Sequence, residues 1–121
     1  MKHLPKVLLI DDEVDYLNLL TPILRRRGFD VYSLSNGEDV LTVTRKFMPD
    51  IILLDVRLGR FDGRLLCWQI KTDKGIRGAK IILHSAFPDV ESSYKTYCAD
   101  EFILKPTEAD YIIARFKFHL G

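Results

Sequence analysis

Short, nearly unbroken apolar runs alternate along this chain with longer stretches in which apolar residues recur every three or four positions. The runs Lys6–Ile10, Val31–Leu34, Ile51–Leu54, Lys80–His84 and Glu101–Leu104 have the length of strands. A strand that is apolar at successive positions is buried on both faces, as in a parallel sheet covered by helices. Between the first two runs, Val14, Leu17, Leu20 and Leu24 follow helical spacing, and Gly28 stands where a left-handed residue ends a helix. Pro22 lacks an N–H, so it is expected to kink that helix or loosen its final turns. Ser35 and Glu38 form a capping-box pattern for a second helix, which should end near Phe47 because Met48 precedes Pro49. A third helix is expected to turn Leu65, Leu66 and Ile70 inward before a loop from Gly75 to Gly78. Pro88 marks the start of a fourth, and Thr107 with Asp110 the start of a fifth. Ser92, Ser93 and the lack of a good C-cap predict that the fourth is short or mobile. The pattern is five strands and five helices in strict alternation, the signature of an open α/β sandwich.

Composition narrows the class. At 121 residues, 47% hydrophobic and 29% charged, the chain reads as one domain over residues 1–121, with no output domain in it. Eighteen basic against 17 acidic side chains leave a formal charge of +1, which gives no footprint for direct binding to nucleic acid or a membrane surface. Cys67 and Cys98 are too few and too far apart for a zinc site and read as free thiols. The start, Met-Lys-His-Leu-Pro, is followed by an apolar run too short for a leader or a span. Together these features predict a cytoplasmic protein.

In open α/β sheets, ligands bind beyond the carboxyl ends of the strands. Those positions hold Asp11 and Asp12 after the first strand, Asp55 after the third, Ser85 after the fourth and Lys105 after the fifth. Three carboxylates brought together repel one another and call for a cation. Oxygen ligands alone suit Mg²⁺, or Mn²⁺, better than zinc. A carboxylate can also attack phosphorus. In that chemistry Asp55 would become an aspartyl phosphate, Lys105 would offset its charge and Ser85 would donate a hydrogen bond to it.

Across nearly its whole length the chain resembles the receiver domains of bacterial two-component response regulators. The resemblance rests on Val7-Leu-Leu-Ile-Asp-Asp-Glu13, Asp50-Ile-Ile-Leu-Leu-Asp55 with Phe61-Asp62-Gly63, Ile82-Leu-His-Ser-Ala86, and Ala99-Asp-Glu-Phe-Ile-Leu-Lys-Pro106. It implies a flavodoxin-like doubly wound (βα)5 fold with strand order 2-1-3-4-5 and Asp55 as phosphoacceptor. Asp12 would be a direct metal ligand, Asp11 a ligand through water, and the backbone carbonyl of Arg57 the third protein ligand. Lys105 would pair with the phosphoryl group, with the Lys105–Pro106 bond cis. Ser85 and Phe102 fall on the family's switch positions. There, movement of the hydroxyl lets the ring turn inward and alters the surface around the fourth helix, fifth strand and fifth helix.

The implied donor is a histidine kinase or histidine phosphotransfer protein and the implied target a downstream protein, with a phosphorylation-dependent dimer among the outcomes the family allows. Such a domain modifies itself and turns over no metabolite. The chain departs from the family at Gly59, where proline is common, and at Cys98, where glycine often stands. Arg57 and Phe87 occupy positions that influence attack by water, and their bulk predicts a long-lived phosphorylated state.

Each residue also has a plainer reading. Asp11 and Asp12 alone could be charges at a helix start, Lys105 a surface lysine, Ser85 a turn residue and His84 a half-buried strand residue. Asp55 resists this, because a carboxylate after four apolar residues is costly unless paired. The alternatives are a pseudo-receiver that binds partners without phosphorylation, a haloacid-dehalogenase-like phosphatase and a flavodoxin. The phosphatase would need a second aspartate where Arg57 stands, and the flavodoxin would need a phosphate loop where Asp11, Asp12 and Glu13 stand.

Overall fold

The apolar runs become strands because each finds a parallel neighbour and a helix layer on both faces. The computed structural model describes residues 3–121. Met1 and Lys2, which open the segment read above as no leader, lie outside the described residues. In chain order the elements are β1 (Lys6–Ile10), α1 (Val14–Arg26), β2 (Asp30–Leu34), α2 (Val40–Phe47), β3 (Ile51–Asp55), β4 (Arg57–Leu58), β5 (Phe61–Asp62), α3 (Gly63–Thr72), β6 (Lys80–Ser85), β7 (Glu101–Leu104) and α4 (Ala109–Leu120). The main sheet is parallel and runs β2-β1-β3-β6-β7. That is the expected 2-1-3-4-5 order once the small β4–β5 pair is set aside.

Alternation along each strand divides the core in two. Val7, Leu9, Leu53, Ile82 and Ile103 share a cluster with Leu17, Leu20 and Leu24 of α1 and with Ile112, Ile113 and Phe116 of α4. Leu8, Ile10, Ile52, Leu54, Ile81 and Leu83 share the other with Val40 of α2 and Leu66, Cys67 and Ile70 of α3. Removing this much apolar surface from water is the main force holding the layers. Cys67 is buried and Cys98 exposed, both as free thiols. No helix among the described residues is long and apolar enough to cross a membrane.

Several expectations require correction. Val14 and Leu65 point to solvent, 53% and 54% exposed; in α3 it is Leu66, Cys67 and Ile70 that face the core. Pro22 lies inside α1 without ending it, and the last turn stays closed by Arg27 N–H bonds to the Ile23 and Leu24 carbonyls at 3.2 and 3.1 Å. The Ser35–Glu38 capping box does not form. Asn36 Oδ1 instead accepts from the Asp39 N–H at 3.0 Å and Glu38 reaches Arg60 at 3.3 Å, so α2 begins only at Val40. Likewise Thr107 bonds back to the Leu104 carbonyl and Asp110 pairs with Arg27, leaving α4 to start at Ala109 without a side-chain cap.

The fourth helix is not an α-helix. Residues Pro88–Ser92 and Tyr94–Tyr97 form two separate 3₁₀ turns, so the described residues hold four α-helices rather than five. Ser92 and Ser93 turn their hydroxyls back onto the Asp89 and Val90 carbonyls, at 2.9 and 3.2 Å, a local bond that competes with helix continuation. Val90 is the only buried residue in either turn, too little apolar stripe to hold a helix down. Cys98 then closes the segment at φ 67°, where a glycine would sit without strain.

The β4–β5 hairpin was not expected. Gly59, at φ 61°, opens its two-residue turn between Leu58 and Phe61. Gly63 then returns the chain so tightly that its N–H meets the Val56 carbonyl at 2.6 Å, and a Cβ there would collide with the Asp55 carbonyl oxygen.

Candidate functional site

Four strands end at one edge of the sheet, and the polar residues that follow them meet there. Asp11, 4% exposed, is tied to β2 by its N–H to the Leu34 carbonyl at 3.1 Å. Its Oδ1 accepts from the Glu13 N–H at 2.9 Å. Asp12 is turned to solvent, and Asp55, the last residue of β3, is 7% exposed. One oxygen from each of Asp11, Asp12 and Asp55 lies within 4.8 Å of the others.

Lys105, at the end of β7, supplies the cation. Its Nζ donates to Asp11 Oδ2 at 2.7 Å and lies 3.5 Å from Asp55 Oδ2 and 3.7 Å from Glu13 Oε1. The Lys105–Pro106 bond is cis. Burial works against the Lys105 ammonium, but the Asp11 hydrogen bond and the charges of Asp55, Asp11 and Glu13 outweigh it and hold its pKa above the ordinary value. Burial pushes Asp55 the other way for a carboxylate, up to about 7. Repulsion from Asp11 adds to this, while Lys105 and a long N–H bond from Arg57, at 3.4 Å, only partly offset it. An aspartate so destabilised as an anion is set to gain from a cation placed beside it.

Ser85, the last residue of β6, is buried beside this cluster. Its Oγ accepts from the Phe87 N–H at 3.1 Å, leaving its own hydrogen free to be donated, and its carbonyl accepts from the Lys105 N–H at 2.8 Å. Phe102 does not join the carboxylates. It is half-buried against the core on the α2–α3 side, in register with Leu83. Arg57 turns its side chain outward, with the guanidinium 3.9 Å from the centre of the Phe87 ring at the mouth of the site.

Two residues next to the cluster were misjudged or missed. His84, expected half-buried, is 1% exposed, and neither ring nitrogen meets a hydrogen-bond partner among the described residues. Burial first, then the charge of Lys105, push its pKa down to about 4, so the ring is neutral at neutral pH. Tyr16 lies 5.8 Å from it, centroid to centroid, with its other neighbour Lys105 Nζ 5.1 Å from the ring centre. The Tyr16 hydroxyl is buried, and burial pushes its pKa up to about 12. Its sequence signal was position: a helical side chain leans toward the helix N-terminus, so an aromatic residue in the first turn of α1 reaches back over the strand end.

Comparison with known proteins places this geometry. Residues 7–117 match the family described as the response regulator receiver domain. The chain belongs to that family. Among curated relatives, the DNA-binding response regulator MtrA of Mycobacterium tuberculosis is 30% identical over 115 residues, covering 95% of this chain and 50% of its own length. The probable transcriptional regulator ycf27 of Guillardia theta is 31% identical over 114 residues, covering 93% of this chain and 44% of its own. The receiver chain thus spans about half the length of the curated relatives it matches. Among solved structures, the response regulator TrrA of Thermotoga maritima in complex with Mg²⁺-BeF is 27% identical, with a TM-score of 0.85 over 95% of this chain and 98% of its own. DrrB of Thermotoga maritima, an OmpR/PhoB homologue, is 28% identical, with a TM-score of 0.82 over 97% of this chain and 52% of its own.

Proposed function

We propose that this receiver domain is a phosphorylation-controlled switch in which Asp55 accepts a phosphoryl group from a phosphohistidine donor. The observation that carries this reading is the convergence of three strand ends, where one oxygen from each of Asp11, Asp12 and Asp55 lies within 4.8 Å of the others and Lys105 Nζ lies 2.7 Å from Asp11 and 3.5 Å from Asp55. The three carboxylates fit Mg²⁺: an all-oxygen set, largely negative, at the edge of a sheet and open at Asp12 to solvent. Asp12 and Asp55 would hold the ion directly, Asp11 through water and Arg57 through its carbonyl. When bound, the ion supplies charge neutralisation for the transferring group. Asp55 then forms the new O–P bond as the N–P bond to the donor imidazole breaks, and the imidazole takes up a proton. Lys105 shifts from Asp11 toward the phosphoryl oxygens, and the free Ser85 hydrogen is donated to one of them.

The output follows from the charge added at Asp55, about −1.5 to −2 at neutral pH. Movement of Ser85 toward it draws the Ser85–Phe87 turn inward and frees space for Phe102, altering the surface made by the 3₁₀ segment, β7 and α4. That surface is where a downstream protein would distinguish the two states, with a phosphorylation-dependent dimer one form the readout can take. A formal charge of +1 supports a role in which this domain itself contacts protein rather than DNA, in a cytoplasmic two-component pathway. Intact-protein mass after incubation with acetyl phosphate, with and without Mg²⁺, tests the chemistry. The expected result is one Mg²⁺-dependent, hydroxylamine-labile phosphoryl adduct that Asp55→Asn abolishes. No adduct, under conditions that modify a known receiver, would overturn it in favour of phosphorylation-independent binding.

A further inference from the structure

Behind Asp11, between α1 and the sheet, lies a small cavity that phosphoryl transfer as described above does not use. It is lined by Asp11, Tyr16 and His84 on its polar side and by Leu9, Leu17 and Leu53 among its apolar walls. The space open to a water-sized molecule is about 10 Å³, close to the minimum of about 10–15 Å³ that one buried water needs. Three buried polar atoms next to it, Tyr16 Oη and both ring nitrogens of His84, have no protein partner among the described residues. Buried polar groups are satisfied in folded proteins by protein or by ordered water. The apolar walls offer nothing else.

We propose that Tyr16 and His84 are positioning residues for Asp11, holding between them one buried water that fixes the Asp11 carboxylate when Lys105 leaves it. A single molecule satisfies two of those three atoms, Tyr16 Oη and one His84 ring nitrogen, with the Asp11 carboxylate as its third partner. A tyrosine hydroxyl both donates and accepts, a neutral imidazole offers one donor and one acceptor, and a carboxylate only accepts. A water among them makes three hydrogen bonds, the usual number for a buried one. Its value lies in timing. Asp11 Oδ2 now has the Lys105 ammonium at 2.7 Å, and Lys105 must move to serve a phosphoryl group. Once it does, Asp11, 4% exposed, keeps the Glu13 N–H on Oδ1 but loses the protein donor on Oδ2 that held it in place. The Tyr16 ring also packs against Lys105, so the same side chain touches both ends of the exchange.

This inference rests on the proposed metal-binding role of Asp11, and its test separates the two. Titration calorimetry with Mg²⁺ alone, on the full chain, compares wild type with Tyr16→Phe, His84→Leu and His84→Gln. Removing a group that orients a metal ligand from behind weakens metal affinity by about 10-fold or more, the change expected for Tyr16→Phe and His84→Leu. The double variant should be little worse than either single one, because both lose the same water, and His84→Gln, which keeps hydrogen-bonding capacity, should recover affinity. A merely structural role would lower the melting temperature of the metal-free variants and leave the Mg²⁺ constant unchanged, which overturns the proposal. Tyr16→Phe keeps the ring, so it decides the matter even if a His84 variant fails to fold. If wild type binds no Mg²⁺, the functional reading fails while a crystal structure of metal-free wild type still settles the water. A water bonded to Tyr16 Oη and a His84 nitrogen supports its place, and a dry cavity removes it.

Discussion

The Arg57–Phe87 contact at the mouth of the site leads to a kinetic prediction. The guanidinium lies 3.9 Å from the ring centre, close for a cation over an aromatic face, and the ring is 39% exposed. A partly exposed pair of this kind contributes about 0.5–1 kcal/mol, and about 2 when fully desolvated. If water reaches the Asp55 acyl phosphate only while the pair is apart, breaking it raises the open population by the matching factor. At 1.4 kcal/mol per tenfold change, that is about 2- to 5-fold, with a ceiling of about 30-fold. Arg57→Ala leaves the backbone carbonyl in place and removes only the cover; Phe87→Ala removes the other half. Each variant is phosphorylated with acetyl phosphate and Mg²⁺, freed of donor, and followed by intact mass as the adduct decays. The expected outcome is faster loss in both single variants and no further gain in the double, the mark of two groups acting as one. Equal decay in all four proteins, strictly additive effects, or a wild-type lifetime of only seconds would refute the shielding argument.

Other outcomes follow from the same geometry. In metal-free protein the ionised form of Asp55 is disfavoured, its pKa raised to about 7 by burial and by Asp11, so Asp55→Asn should be more stable by about 1–3 kcal/mol at pH above 7. The sign follows from the raised pKa: the folded state keeps the proton between about pH 4 and 7 while the unfolded chain loses it, so wild-type stability falls across that window and the advantage of the variant vanishes near pH 4. Denaturant midpoints at several pH values check this, and Mg²⁺ should restore wild type, by about 2.7 kcal/mol at a hundredfold excess over its Kd. Gly63→Ala should cost about 2 kcal/mol or more and impair phosphorylation, since its methyl would displace the Asp55 backbone; a fully active, stable variant would contradict that packing. Cys98→Gly should stabilise by about 1 kcal/mol, because a left-handed non-glycine residue is strained, and a calorimetric scan would detect the shift.

Central strand positions were legible because burial on both faces leaves no polar alternation to misread: Lys6–Ile10 and Ile51–Asp55 are buried at nearly every position and fall where the apolar runs lie. The alternation of strand and helix then dictated which ends share an edge, so Asp11, Asp12, Asp55 and Lys105 could be grouped before any distance was known. What failed was local competition among polar side chains. Asn36 displaced Ser35 as a cap, and Ser92 and Ser93 spent their hydroxyls on carbonyls of their own turn. A hairpin of only two short strands, at Arg57–Leu58 and Phe61–Asp62, carries too few residues for periodicity to register. Full burial of His84 was hidden for a different reason: one polar residue in an apolar strand says nothing of how deep its neighbours sit.

The ion pair between Lys105 and Asp11 joins residues 94 apart in the chain. A ribosome delivers Asp11 and Asp12 first, at about 5–20 residues per second, and the Lys105 ammonium that pairs with Asp11 follows 94 residues later. Until Lys105 has emerged and β7 has docked, Asp11 lacks this partner, and a chain truncated before Lys105 never acquires it. On the role proposed for Asp55, competence to take a phosphoryl group would come only after Lys105 has been made, and products terminated before it would not draw on the donor.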